Sequence, residues 1–252
     1  MGRTGRHDLI KSLQSARPRG APFGLNALEG LGVSAQLAAK YVESGWLVRL
    51  AQGVYAFPGD PLDEHRTIRF LQEKAQGLHI GGKSALALQG IRHNLAARET
   101  VVLWGDGRFR LPEWFLSRFA GRYVSARLFA WPGKALGRTS VATPPGVSDG
   151  VAVSVPERAT LELLYETGTH QGLEEAHNLF TGIRNLRAGT MGRLLACCRS
   201  VKTVRLFLTW ARETGVVDVD ALSRRYRLPA GGRNRWMTRL KDGTLLTLKR
   251  NG

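Results

Sequence analysis

Along the first 58 residues, apolar positions recur at helical spacing, stop at glycines and prolines, and then give way to two short apolar runs. Leu9, Ile10 and Leu13 predict a helix over 6–16, which Pro18 ends. Phe23, Leu25 and Leu28 predict a short second helix within 22–30. Leu31, Gly32 and Val33 read as a tight turn and Ser34 as an N-cap, with a third helix over 35–44 closed by Gly45. Two short helices joined by a Gly-containing turn predict a helix-turn-helix. The apolar runs 46–50 and 54–57 flank a Gly-containing turn and predict a β-hairpin, a wing at about 46–58. The N-terminus therefore reads as a winged helix-turn-helix. Val33, Leu37 and either Tyr41 or Val42 are expected to face its core.

The remainder alternates. An amphipathic helix is predicted over 63–77, from Ile68, Phe70, Leu71 and Ala75, and a second helix over 84–89. Strands are predicted at 100–104, 123–129 and 151–155, with 141–146 as a loop. Helices at 112–119 and 156–165 each open on a proline. Further helices are expected at about 170–181, 189–198 and 201–213, and short strands near 224–228, 236–240 and 244–248. The fold class is α+β: an N-terminal winged helix-turn-helix followed by a mixed α+β C-terminal domain. The expected division is 1–95, the winged helix with its buttressing helices, and 96–252.

Composition narrows the function. The chain has 252 residues, 43% of them hydrophobic and 23% charged, which is a globular balance. No apolar run is long enough to span a bilayer, and the first residues lead into no signal segment, so a cytoplasmic protein is expected. Cys197 and Cys198 are adjacent, which makes a mutual disulfide sterically implausible, and they read as small buried hydrophobes. The net charge of +17 and the pI near 10.9 point to an anionic partner, with nucleic acid as the default.

The winged helix supplies candidates for that contact. Ser34, Ala35, Gln36, Ala39 and Lys40 lie opposite the core face of the third helix, toward a major groove. Gln36 has the donor and acceptor to pair with adenine, and Lys40 reaches guanine or phosphate. Small residues at 35 and 39 permit close approach. Arg49 and Gln52 on the wing, and Arg3, Arg6, Arg17 and Arg19 near the entry, are candidate phosphate contacts. The last segment is a second basic patch, with Arg224, Arg225, Arg227, Arg233, Arg235 and Arg239; it would meet DNA backbone or a partner protein, or be a solvated face.

One motif argues for different chemistry. Gly77-Leu-His-Ile-Gly-Gly-Lys-Ser84 fits the phosphate-loop pattern G-x-x-x-x-G-K-[ST]. That loop needs a buried strand feeding a glycine turn, whereas the preceding 63–77 reads as an amphipathic helix. A strand ending at Asp106 lies too close to leave room for another strand and crossover helix. Gly81-Gly82 reads instead as a loop end, and Lys83-Ser84 as a helix start.

The residues after the wing carry a family resemblance. Leu28-x-x-Leu-Gly-Val-Ser34, then Tyr41-Val-x-x-Gly-Trp-Leu-Val-Arg-Leu-x-x-Gly-Val-Tyr55, then a helix and Gly-Gly-Lys-Ser-Ala-Leu-Ala-Leu-Gln-Gly90 resemble the AbiEi family. These are transcriptional-regulator antitoxins of bacterial type IV toxin–antitoxin systems. The resemblance covers most of the chain and is strongest over 22–93. It implies a repressor that binds double-stranded DNA in its own promoter. It also implies a C-terminal domain that opposes a nucleotidyltransferase-like toxin without a stable complex.

Catalysis finds little support in the sequence. Histidines 65, 79, 93, 170 and 177 show no metal-ligand spacing, although His170 and His177 could share a helix face. Glu157, Glu162, Glu166, Glu174 and Glu175 read as solvated ion-pair partners on helices. No cofactor, metal site or catalytic residue is expected. Two alternatives remain open on the residues alone: a winged-helix repressor with a ligand-sensing second domain, and a nucleotide hydrolase using Gly82, Lys83, Ser84 and Asp106.

Overall fold

The computed structural model describes residues 6–93, 99–148, 150–231, 236–239, 243 and 245–248. They fall into two compact units, one of residues 1–75 with 112–119, the other of 76–111 with 120–252. Residues 76–93, expected to belong with the winged helix, lie in the second unit.

The first unit opens with α1 (Arg6–Ala16), then β1 (Phe23–Gly24), α2 (Leu25–Glu29) and α3 (Ala35–Glu43). The wing follows as β2 (Val48–Ala51) and β3 (Val54–Ala56), then α4 (Glu64–Lys74). The second predicted helix is shorter than expected because its first residues are a strand. Phe23 and Gly24 pair antiparallel with Tyr55 and Val54, giving a three-stranded sheet in the order β1-β3-β2. The wing turns at Gln52-Gly53, where Gly53 takes φ +70°, a value that costs glycine no steric penalty. Leu13, Phe23, Leu28, Val33, Ala38, Tyr41, Leu47, Tyr55 and Phe57 form one core. Of the expected inward residues on α3, Tyr41 is buried while Leu37 and Val42 pack at the margin, and Ala38, not expected there, is fully buried. Asp63 caps α4 by accepting the Arg66 N–H at 2.8 Å, and the buried face of α4 carries Thr67, Ile68, Phe70 and Leu71.

The second unit starts with β4 (His79–Ile80), α5 (Gly82–Leu88) and β5 (Val101–Gly105). The chain next supplies α6 (Glu113–Leu116) to the first unit, where the Trp114 and Phe70 rings lie 6.4 Å apart. It returns as β6 (Gly121–Ser125), α7 (Lys134–Thr139), β7 (Val141–Ala142), β8 (Val153–Ser154) and α8 (Pro156–Glu166). Then come α9 (Leu173–Thr181), α10 (Ala188–Ala196), α11 (Val201–Thr214) and α12 (Val219–Arg225). A separate hairpin pairs β9 (Trp236–Arg239) with β10 (Leu245–Leu248).

Five strands form a mixed sheet in the order β6-β5-β4-β8-β7. The β5–β6 and β4–β8 pairs are parallel and the other two antiparallel. Every residue of β5 is buried, as an uninterrupted apolar run in an inner strand requires. Against the sheet lies α8, buried on nearly all sides and packed with α5, α10 and α11.

The strand expected over 123–129 runs over 121–125, and Phe129 makes only an isolated bridge to Cys198. The loop expected over 141–146 begins with β7, whose two residues pair with β8. No strand forms near 224–228: Arg224 and Arg225 end α12, and 226–228 are irregular. Asp218 nucleates that helix by accepting the Ala221 N–H at 2.8 Å, and Val219 and Leu222 are buried. Replacing a carboxylate N-cap by alanine costs roughly 1 kcal/mol. Asp218→Ala is therefore expected to lower stability in urea unfolding by about that amount, while Asp218→Asn keeps most of it.

Candidate nucleic-acid interface

The helix-turn-helix is built by local chemistry. Ser34 in extended backbone accepts the Leu37 N–H at 3.3 Å and so starts α3. Val33, Ala38 and Tyr41 then fix which face is buried. Ser34, Ala35, Gln36, Ala39 and Lys40 are left exposed on the other side. Gln36 and Lys40 are one turn apart and share a face, with Ala35 and Ala39 beside them. Glu43 is also exposed and adds a negative charge to the last turn of α3, beside Lys40.

On the wing, Arg49 and Gln52 are exposed. Among the described residues, no hydrogen bond or ion pair engages the side chains of Gln36, Lys40, Arg49 or Gln52. Trp46, just before the wing, and Val48, at its first position, are 40% and 41% exposed. At the entry Arg17 is exposed, but Arg19 is committed: its Nε donates to Asp60 at 2.5 Å, and that bond and charge raise its pKa. Arg66 donates to the Arg19 carbonyl, which ties the same loop down. A phosphate would have to compete with Asp60 for Arg19. Arg3 lies outside the described residues, and Arg6 is placed only by its backbone.

In the second basic patch, Arg224, Arg225 and Arg227 are exposed at and beyond the C-terminal end of α12, where cations suit the helix dipole. Arg225 lies over the Tyr226 ring at 5.6 Å. Arg239 is in β9, and Arg233 and Arg235 lie outside the described residues.

The glycine motif is occupied by the protein itself. Gly82 donates its N–H to the buried Glu162 carboxylate at 3.0 Å, at the start of α5, where a phosphate would have to sit. Glu162 also accepts from Ser154 Oγ at 2.8 Å and Arg158 Nε at 2.7 Å, and faces His79 Nε2 at 2.9 Å. Lys83 pairs with Glu175 at 3.5 Å, and Ser84 Oγ accepts the Val102 N–H at 2.9 Å. A Cβ on Gly81 would strike the Glu162 carboxylate and the Trp104 ring, so that glycine answers to packing. Lys83 and Ser84 do line a cavity of roughly 340 Å³, but Glu99 and Glu175 share its wall.

Burial raises the Glu162 pKa, but the charges of His79 and Arg158 and the bonds from His79 and Gly82 outweigh it and hold the group at about 2. Glu157 and Glu166 are buried too, each bound by an arginine fork, from Arg187 and Arg122 respectively. This corrects the expectation of solvated carboxylates for these three; Glu174 is exposed. Apolar residues on every side of α8, among them Ala159, Leu161, Leu163 and Leu164, were the available signal, because such a helix has no solvent face to offer. His170 precedes α9 and does not share that helix with His177, which meets Glu213 at 3.4 Å. Burial raises both cysteine thiols, Cys198 to about 12. Among the described residues, no group of three or more His, Cys, Asp or Glu could hold a metal ion, and no helix is long and apolar enough to cross a membrane.

Comparison with known families matches both parts of the chain. Residues 6–97 match the AbiEi antitoxin N-terminal domain of transcriptional regulators, and residues 98–249 the AbiEi antitoxin transcriptional regulators of type IV toxin–antitoxin systems. No curated protein matches. Among solved structures, the RV2827C protein from Mycobacterium tuberculosis is similar, with a TM-score of 0.57 over 91% of this chain and 87% of that one, at 16% identity. That likeness bears on the fold alone.

Two outcomes follow from the Glu162 cluster. The depressed carboxylate contributes stability that is complete above about pH 4.5, its unperturbed value, and is lost as the pH falls toward about 2. The loss is on the order of 3 kcal/mol. Urea unfolding across that window should show the slope in the wild type and a flatter one in Glu162→Gln. Gly81→Ala should lower Tm markedly, whereas Lys83→Ala, which removes only a half-exposed ion pair, should leave Tm within about a degree or two.

Proposed function

The chain belongs to the AbiEi antitoxin family of transcriptional regulators of type IV toxin–antitoxin systems, and on that premise we propose that it represses its own operon in the cytoplasm and opposes a nucleotidyltransferase-like toxin encoded beside it. The operator reader is residues 1–95 and the antitoxin domain 96–252; the family match that changes over between residues 97 and 98 supports that assignment.

The observation that carries the DNA reading is the exposed, uncommitted set on α3 and the wing. Gln36 and Lys40 face outward one turn apart beside two alanines, flanked by Arg49 and Gln52. A helix with this face enters the major groove with its N-terminal part at the base edges, while the wing reaches the adjacent backbone. Ser34 keeps its hydroxyl hydrogen for a phosphate even as its oxygen caps α3. Ala39 leaves room for a thymine methyl. Arg17, Arg3 and Arg6 supply further phosphate contacts. Arg19 contributes only if it leaves Asp60.

The test is fluorescence anisotropy with the chain's own upstream DNA and a scrambled duplex, across a salt series. Affinity for both duplexes should fall steeply with salt. Gln36→Ala should cut the preference for the native sequence by roughly 1–3 kcal/mol. Lys40→Ala should weaken both duplexes alike and reduce the salt slope by about 1 if Lys40 meets phosphate. Equal binding of both duplexes, unmoved by either substitution, would remove the operator-reading role. The antitoxin half is tested by co-expressing the full chain carrying Gln36→Ala and Lys40→Ala with the neighbouring toxin gene, where restored growth is expected.

A further inference from the structure

The winged helix carries little of the molecule's charge. Residues 1–75 hold 10 Lys and Arg against 7 Asp and Glu, a net +3 of the total +17. Residues 76–252 hold 27 against 13, a net +14. Operator binding by α3 and the wing leaves most of this charge unexplained.

It is also unevenly spread. No Asp or Glu occurs between Glu113 and Asp149, between Glu175 and Glu213, or between Asp220 and Asp242, although each stretch holds at least five Lys or Arg. The fold brings one piece of each stretch to a single groove of roughly 770 Å³, formed by the 130–139 segment with α7, the end of α10 through Arg199, and the segment after α12. Its floor is apolar, with Pro132, Leu136, Ala196 and Pro229 among its residues. Arg193 and Arg199 are exposed at its edge, and among the described residues no carboxylate pairs with either. Among the described residues, no acidic one lines it.

We propose that this groove docks an acidic polypeptide segment, with apolar side chains seated on the floor and carboxylates against Arg193 and Arg199. Charge complementarity selects the sign of the partner. A second copy of this chain, at +17, is the wrong occupant. Duplex DNA would meet the arginines but has nothing apolar to place on the floor. An unstacked base would need an aromatic face. The one aromatic ring in the lining, Tyr226, packs so closely on Gly192 that a Cβ there would collide with it, and Arg225 lies over the ring. The groove shares no residue with α3 or the wing, so the proposal stands whether or not they bind DNA.

The probe is a fluorescein-labelled amphipathic peptide of Glu and Leu, titrated into the full chain by anisotropy. Ala196→Trp fills the groove, and Arg193→Ala with Arg199→Ala removes its charge. Each variant should weaken binding by about tenfold or more. A measurement on the unaltered chain needs no variant to fold. Cys197 is half-buried in the groove wall, while Cys198 is buried and silent, so bound peptide should slow maleimide labelling of Cys197. The proposal is overturned if a Glu and Ser peptide binds equally well, since charge alone would then suffice. It also fails if Ala196→Trp and Cys197 labelling are both indifferent to the peptide, or if a single-stranded oligonucleotide, and not the peptide, protects Cys197.

Discussion

The second unit is organised around one buried carboxylate. Glu162 is wholly inaccessible, yet it is ionised and faces groups from four directions: His79 on β4, the Gly82 N–H at the start of α5, Ser154 on β8, and Arg158 one turn earlier on α8. Through Arg158 the cluster extends to Ser140 at the end of α7 and to the faces of Phe129 and Trp131, at 5.7 and 5.3 Å. Burying charges costs several kcal/mol per ion, and the attraction returns this only when every lone pair finds a donor. A cluster so completely bonded need add little net stability. What it does is forbid alternatives: any other register of β4 against β8, or any other docking of α5 on α8, strands a charge in the core.

The same carboxylate explains why a phosphate-loop string is not a phosphate site. The string does hold a short strand, a glycine pair and a helix start, but the strand, His79–Ile80, lies inside the loop and not before its first glycine. A second difference is long-range. The N–H that would cradle a phosphate already donates to Glu162, 80 positions away, and Lys83 turns to Glu175. A pattern of eight letters cannot report which anion the rest of the chain brings to it.

That contrast also marks how far the sequence could be read. The winged helix was legible because local rules decide it: Ser34 at the cap, Gly45 after α3, Gly53 in the wing turn, and apolar spacing on each helix. The outward set on α3 followed from the same spacing. The sheet of the second unit was less legible. Strands β4, β7 and β8 are two residues long, too short to show a period, and exist only through partners such as Ile80 and Val153. At α12 the arginines masked a helix that Asp218 begins. Arg19 looked like any basic entry residue, and nothing near it in sequence announces Asp60 as its partner.

Charge sharpens the division of labour. A regulator whose net charge served DNA alone would gather it around the recognition helix. Here α3 ends in an exposed Glu43, and the wing turn offers Gln52 beside a single arginine. The excess belongs to the other unit, and there most of the fully buried cations are spent internally: Arg158 on Glu162, and Arg205 on the Ala230 carbonyl at 2.7 Å. Arg122 and Arg187 close the buried Glu166 and Glu157. Subtracting those leaves exposed arginines at the edge of an apolar groove, whose wall is held by the segment that Arg158 braces. The buried network that fixes the fold thus also fixes the surface on which the remaining charge is displayed.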